Sequence, residues 1–157
     1  MMRKVEVARA VIATPAGRVG VYATRSGVSR IILGERSNSD AGESVVLART
    51  RRELERYFEG EKVQFRVPLD MREATEFRLK VWTELMGVGY GTTVSYKELA
   101  ELCGEPSSWR TIAGAVAANP LPIMVPCHRV ISSDGSLGGF AGGLRWKRFL
   151  LTLEGAL

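Results

Sequence analysis

The chain has 157 residues, 45% of them hydrophobic and 25% charged, a balance that excludes disordered and collagen-like chains and predicts an ordinary globular protein. The net charge of +5 favours polyanionic partners, yet 14 basic against 11 acidic residues up to Glu76 and 8 against 6 after it is too even to name one. Two cysteines, Cys103 and Cys127, are too few for a disulfide framework or a four-ligand zinc site. No run approaches ~18 apolar residues, and the start, Met1-Met2-Arg3-Lys4-Val5-Glu6, is charged. These features predict a cytoplasmic protein with no membrane span and no export signal.

In the first 35 residues apolar and polar positions alternate, as in Val5-Glu6-Val7-Ala8, Val19-Gly20-Val21-Tyr22 and Val28-Ser29-Arg30-Ile31, with turn residues between them. This period predicts an antiparallel meander. A polar loop over residues 36–43 leads to a helix running from about Val46 to a stop at Gly60, and a short strand is expected over residues 63–69. Asp70 to Ala74 reads as the hinge into a second domain, so that residues 1–72 and 73–157 form separate units. Phe77, Val81 and Leu85 then repeat at helical spacing up to Gly87. Ser95-Tyr96-Lys97-Glu98 has the serine and glutamate of a capping box and opens a short helix to Leu102. After the turn Gly104-Glu105-Pro106-Ser107, a second helix capped by Ser107 or Ser108 runs through Ile112 and Val116 to Asn119-Pro120. Such a pair is either a helix-turn-helix that enters a DNA groove or a packing corner.

The densest chemistry lies in residues 119–130 and the glycine-rich stretch 135–143 that follows. Three of the six prolines stand within seven positions here, and prolines beside glycines describe a rigid, irregular pocket wall. Cys127 follows one of those prolines and precedes His128, the only histidine. A thiolate needs a base or cation beside it, and the two side chains cooperate only if the backbone turns at this point or a water bridges them. Glu154 is one of few carboxylates beyond the pocket that could orient the imidazole. Cys103, in the turn of the helix pair, reads as structural.

Pro126-Cys127-His128-Arg129-Val130 closely resembles the active-site signature of the 6-O-alkylguanine-DNA alkyltransferases, also called methylated-DNA-protein-cysteine methyltransferases. Val94-Ser95-Tyr96, Arg110, Asn119-Pro120, Gly142-Gly143-Leu144 and Glu154-Gly155 follow the same pattern in the same order, so that the resemblance covers residues 77–155. It implies an α/β protein with an RNase H-like N-terminal domain of sheet and helix and a mainly helical C-terminal domain. It also implies direct reversal of DNA damage: an alkyl group passes from the 6-oxygen of guanine irreversibly to Cys127, without a cofactor, in a monomer acting on double-stranded DNA. The resemblance assigns His128 as a base acting through water, Glu154 as its orienter, Tyr96 as donor to the leaving guanine, and Asn119 as the tie between recognition helix and pocket. Arg110 would be the finger filling the gap left by the flipped nucleotide. Ser95 is expected at the DNA, and Ala113, Gly114, Ala117 and Ala118 are small enough to let the helix approach the duplex, although tight internal packing would equally use them. Main-chain groups of Cys127, Val130 and Ala141 would read the base, against a wall of Phe140 and Met124.

Many members of that family carry tyrosine and serine where this chain has Phe140 and Ala141, which leaves the Ala141 N–H to serve without a hydroxyl. Residues 1–76 hold no cysteine or histidine, so no structural metal is expected there. Three other readings compete: a non-catalytic reader of alkylated DNA, against which Cys127 itself argues, a cysteine hydrolase, and a plain helix-turn-helix regulator.

Overall fold

The computed structural model describes residues 5–157; the charged start Met1 to Lys4 lies outside them. The chain divides into two compact units, Met1–Glu73 and Ala74–Leu157, of mixed α/β character.

The first unit is the expected meander with one helix. Strands β1 (Ala8–Thr14), β2 (Gly17–Ala23) and β3 (Val28–Leu33) pair antiparallel in that order, with Ala10 opposite Val21 and Val21 opposite Ile31. Their period-2 pattern buries Ala10, Ile12, Val19, Val21 and Ile31, and helix α1 (Val45–Phe58) packs Leu47, Leu54 and Tyr57 onto the sheet. Ser44 caps α1 by accepting from the Leu47 amide at 3.1 Å. Residues 63–69 are not the strand that their alternation predicts. They touch β3 only at its beginning, where Val28 donates to the Pro68 carbonyl and Asp70 donates back to Val28, and Pro68 has no N–H with which to extend the ladder. Asp70 is anchored rather than loose: burial pushes its carboxyl up, but hydrogen bonds from Arg72 and Thr24 outweigh this and hold it at about 2.

The second unit is mainly helical. Helix α2 (Glu76–Met86), capped by Thr75, buries Val81, Trp82 and Leu85. Strand β4 (Val94–Ser95) leads directly into helix α3 (Tyr96–Leu102), whose capping box is formed at both ends, Ser95 Oγ accepting from Glu98 N and Glu98 from Ser95 N, each at 3.0 Å. Helix α4 (Trp109–Ala117) packs on α2 and α3. Ser108 stands at its cap position but makes no capping bond, because its ψ of 32° is not the extended conformation that aims a serine side chain at the first turn. Strand β5 (Val130–Ile131) pairs parallel with β4, a pairing that two-residue strands give no periodic signal for. Helix α5 (Leu144–Leu153) closes the unit. Cys103 is buried in the α3–α4 turn, with its thiol pushed up by burial. No helix among the described residues is long and apolar enough to cross a membrane.

Candidate active site

The segment joining α4 to β5 is held in a shape that few sequences adopt. Ile123 has φ of 78°, a left-handed conformation costly for a β-branched side chain, and it is buried between two prolines' reach. Asn119 fixes this segment to the end of α4: its Nδ2 donates to the Val125 carbonyl at 2.8 Å and its Oδ1 accepts from Leu121 N at 2.9 Å. After Pro126 the backbone makes a single 3-10 turn over Cys127–Arg129, in which Cys127 N bonds to Val125 O and Arg129 N to Pro126 O. The backbone therefore turns at the cysteine, as cooperation between Cys127 and His128 requires.

Glu154, at the C-terminal cap of α5, is buried rather than a solvated helix-end charge. Its carboxylate accepts from four donors: His128 Nε2 at 2.7 Å and Arg129 Nη2 at 3.0 Å on Oε2, Arg129 Nε at 2.8 Å and Gly91 N at 3.2 Å on Oε1. Two oxygens offer about four lone-pair sites, so the carboxylate is filled and ionised, and the proton of the shared bond sits on His128 Nε2. His128 Nδ1 is then a bare lone pair. It is buried and has no hydrogen-bond partner among the described residues, and an unprotonated imidazole nitrogen is the atom able to accept a proton. Burial lowers the His128 pKa despite Glu154, so the ring is neutral at physiological pH. Arg129 also donates from Nη1 to the Val88 carbonyl at 2.6 Å, tying the loop before β4 to the end of α5. Gly91, with φ of 74°, takes the left-handed turn that aims its amide at Glu154.

Cys127 is only 7% exposed. Burial pushes its thiol up to about 11, opposed by hydrogen bonding from Asn119 and the charge of Lys147. At rest it is a protonated thiol, to be activated only when a base takes the proton. Lys147 of α5 is fully buried, donates from Nζ to the carbonyls of Leu137 and Gly139, and is brought down to about 8 by burial. These bonds hold the loop that carries Phe140, half-buried, and Ala141, exposed. Tyr96 opens α3 half-buried, its hydroxyl pushed up by burial and then by Cys127. Gly138, φ 71°, lies against it; a Cβ there would stand 3.4 Å from Tyr96 Cε2 and 3.1 Å from Ser132 Oγ. Val130 and Met124 are buried in the same unit.

The helix pair presents a different face. Arg110, Gly114 and Ala117 are exposed on α4, with Ala113 and Ala118 half-buried. A Cβ on Gly114 would meet nothing within 4 Å, so internal packing does not explain this glycine. Ser95 is buried, and its hydroxyl oxygen serves the α3 cap. Arg129, which the sequence marks only as the cation after His128, and Lys147, which no motif singles out, are both buried in the fold.

Known proteins resemble this chain in both of its units. The DNA-binding-domain description of 6-O-methylguanine DNA methyltransferase matches residues 76–156, and its ribonuclease-like-domain description matches residues 7–71. A methylated-DNA–protein-cysteine methyltransferase of Mycobacterium tuberculosis is 46% identical over 102 residues, 65% of this chain and 61% of that protein. One from Methanosarcina acetivorans is 48% identical over 105 residues, 67% of each. The chain thus spans about three-fifths of the length of its mycobacterial relatives. The crystal structure of M. tuberculosis O6-methylguanine methyltransferase superposes with a TM-score of 0.84 at 33% identity, covering 96% of this chain and 93% of that one. That of M. tuberculosis OGT in complex with DNA gives 0.82 at 35%, covering 92% and 91%. With both of its units matched, the chain belongs to the 6-O-methylguanine DNA methyltransferase family.

Proposed function

We propose that this protein repairs DNA in the cytoplasm by direct reversal, moving the alkyl group from the 6-oxygen of guanine to Cys127 Sγ in a single, irreversible turnover. The observation that carries this reading is the buried Cys127, followed in the same 3-10 turn by His128, whose Nε2 lies 2.7 Å from the buried Glu154 carboxylate. Arg110, exposed at the start of α4, fills the gap as the damaged nucleotide leaves the stack, and Ala113, Gly114 and Ala117 let the helix lie close against the minor groove. The flipped base enters between Met124 and Phe140, and main-chain groups of Cys127, Val130 and Ala141 read its edge. Asn119 holds the recognition helix and the cysteine segment in one register.

In the transfer, the thiol proton passes to His128 Nδ1 through a bridging water, and the sulfur lone pair attacks the alkyl carbon. The S–C bond forms as the C–O bond breaks, its electrons passing into the guanine ring. Tyr96 donates a proton to the ring and is reprotonated from the imidazolium, so the thiol's hydrogen ends on guanine. Glu154, held by Arg129, stabilises the imidazolium in the interval. The thioether formed has no leaving group, so the protein works once.

Intact mass and peptide mapping after incubation with duplex DNA containing 6-O-methylguanine test this directly. One methyl group on Cys127, absent from Cys127→Ser, is expected. Tight binding to the lesion without a mass shift would replace repair by recognition alone.

A further inference from the structure

Trp109 is the first residue of α4 and the one exposed tryptophan. It is 45% exposed, whereas Trp82 and Trp146 are 2% and 3% exposed, and Trp82 is fastened under α4 by a bond from its Nε1 to the Ala115 carbonyl at 2.9 Å. Successive side chains on a helix do not face each other, yet the Arg110 guanidinium lies 5.3 Å from the centre of the Trp109 ring. Arg110 folds back across the helix start onto the indole. It has no ion pair among the described residues, and the first turn of α4 holds no acidic side chain to draw it elsewhere. The ring is therefore the one flat partner that the cation has before DNA arrives.

Resting on the function proposed above, we infer that Trp109 is a second DNA-engaging side chain of this helix, stacking on a base face that is uncovered when the alkylated guanine leaves the duplex. When Arg110 moves into the gap it vacates the indole, which then stands uncovered beside an opened base step. An aromatic ring in that position stacks on whichever base faces it, since every base offers a π-face. The gain is realised only once the stack is open, so Trp109 favours the flipped state over the closed duplex. One turn along α4 from Trp109 the neighbouring positions are Ile112, which is buried, and Ala113, a half-buried alanine, so no large exposed side chain of the helix stands beside the ring.

The test compares wild type, Trp109→Ala and Trp109→Phe in single-turnover methyl transfer from 6-O-methylguanine placed in a duplex and in the same strand alone. Trp109→Ala should slow transfer from the duplex roughly tenfold and leave transfer from the single strand nearly unchanged, since no stack has to be held open there. Trp109→Phe keeps a ring and should recover most of the duplex rate. Because the other two tryptophans are buried, quenching of the indole fluorescence by lesion duplex should disappear in both variants. An unchanged duplex rate in Trp109→Ala, an equal loss on both substrates, or a Phe variant as slow as Ala would each overturn the inference. A wild-type protein that transfers no methyl group from either substrate refutes the repair reading instead. Stacking is then judged by lesion-duplex affinity and quenching, and wild-type values matching those of Trp109→Ala refute it as well.

Discussion

Arg129 shows how one side chain can decide the state of its neighbours. Its guanidinium forks onto Glu154 and reaches Val88, so that a carboxylate, a cation and an imidazole share a buried site in which, among the described residues, His128 Nδ1 is the one buried side-chain nitrogen or oxygen without a partner. Removing one member of such a buried set strands the others, at a cost of about 3–5 kcal/mol. Arg129→Met should therefore lower the melting temperature, but its effect on transfer has a distinct signature. A buried carboxylate without its cation takes up a proton more readily, and a protonated Glu154 no longer stabilises an imidazolium. The rate of the variant should begin to fall at a higher pH than that of the wild type as pH is lowered. Arg129→Lys, which keeps the charge but loses the fork, should fall between them. Parallel pH profiles with a lowered melting temperature would confine Arg129 to a structural part. In the sequence this residue was legible only as the cation after the histidine; adjacency along the chain does not reveal that a 3-10 turn sends it inward.

At the scale of elements, whatever has a period or a cap was legible and whatever depends on a distant partner was not. The meander, α1 and α2 follow from spacing and the capping box of α3 from Ser95 and Glu98, while Ser44 and Thr75 emerge as the caps of α1 and α2 only in the structure. Strands β4 and β5 are too short to carry a pattern and exist because they pair, while residues 63–69 carry a pattern and have no partner along most of their length. The α4 helix keeps local and functional preferences apart, because its Gly114 lowers helix propensity and has nothing packed against it. Gly114→Ala should raise stability by about 0.5–1 kcal/mol. A Cβ at position 114 meets nothing within 4 Å, and in the proposed complex a leucine there would stand between the helix and the groove, so in Gly114→Leu affinity for duplex DNA should fall while the melting temperature holds. Unaltered DNA binding by the Leu variant in a filter or anisotropy assay would remove this face of α4 from the interface.

For the molecule as a whole, the proposed reaction would be a permanent change to the interior of the second unit, with consequences that follow from burial and charge. Cys127 is 7% exposed, and an added methyl must displace something; overpacking of this size costs about 1–3 kcal/mol, or roughly 2–4 °C per kcal/mol in a chain of this length. The methylated protein should melt below the unmodified one at pH 7. Raising the pH separates packing from charge. The unmodified thiol titrates at about 11 in the folded protein, above the 9.0 of a free cysteine, so between these values the unfolded state loses its proton first and stability falls as pH rises. A thioether does not titrate, and methylation abolishes this loss. Lys147 acts in the opposite sense, titrating at about 8 folded against 10.5 free, so that stability rises with pH across that interval. This gain does not depend on the thiol proton and persists after methylation. The gap between the two melting curves should accordingly narrow from pH 9 upward. Calorimetric scans of both forms at pH 7 and pH 10 measure it, and a gap that is absent at pH 7 or constant across the range would show that the added carbon fits without cost or that Cys127 does not titrate as its burial requires.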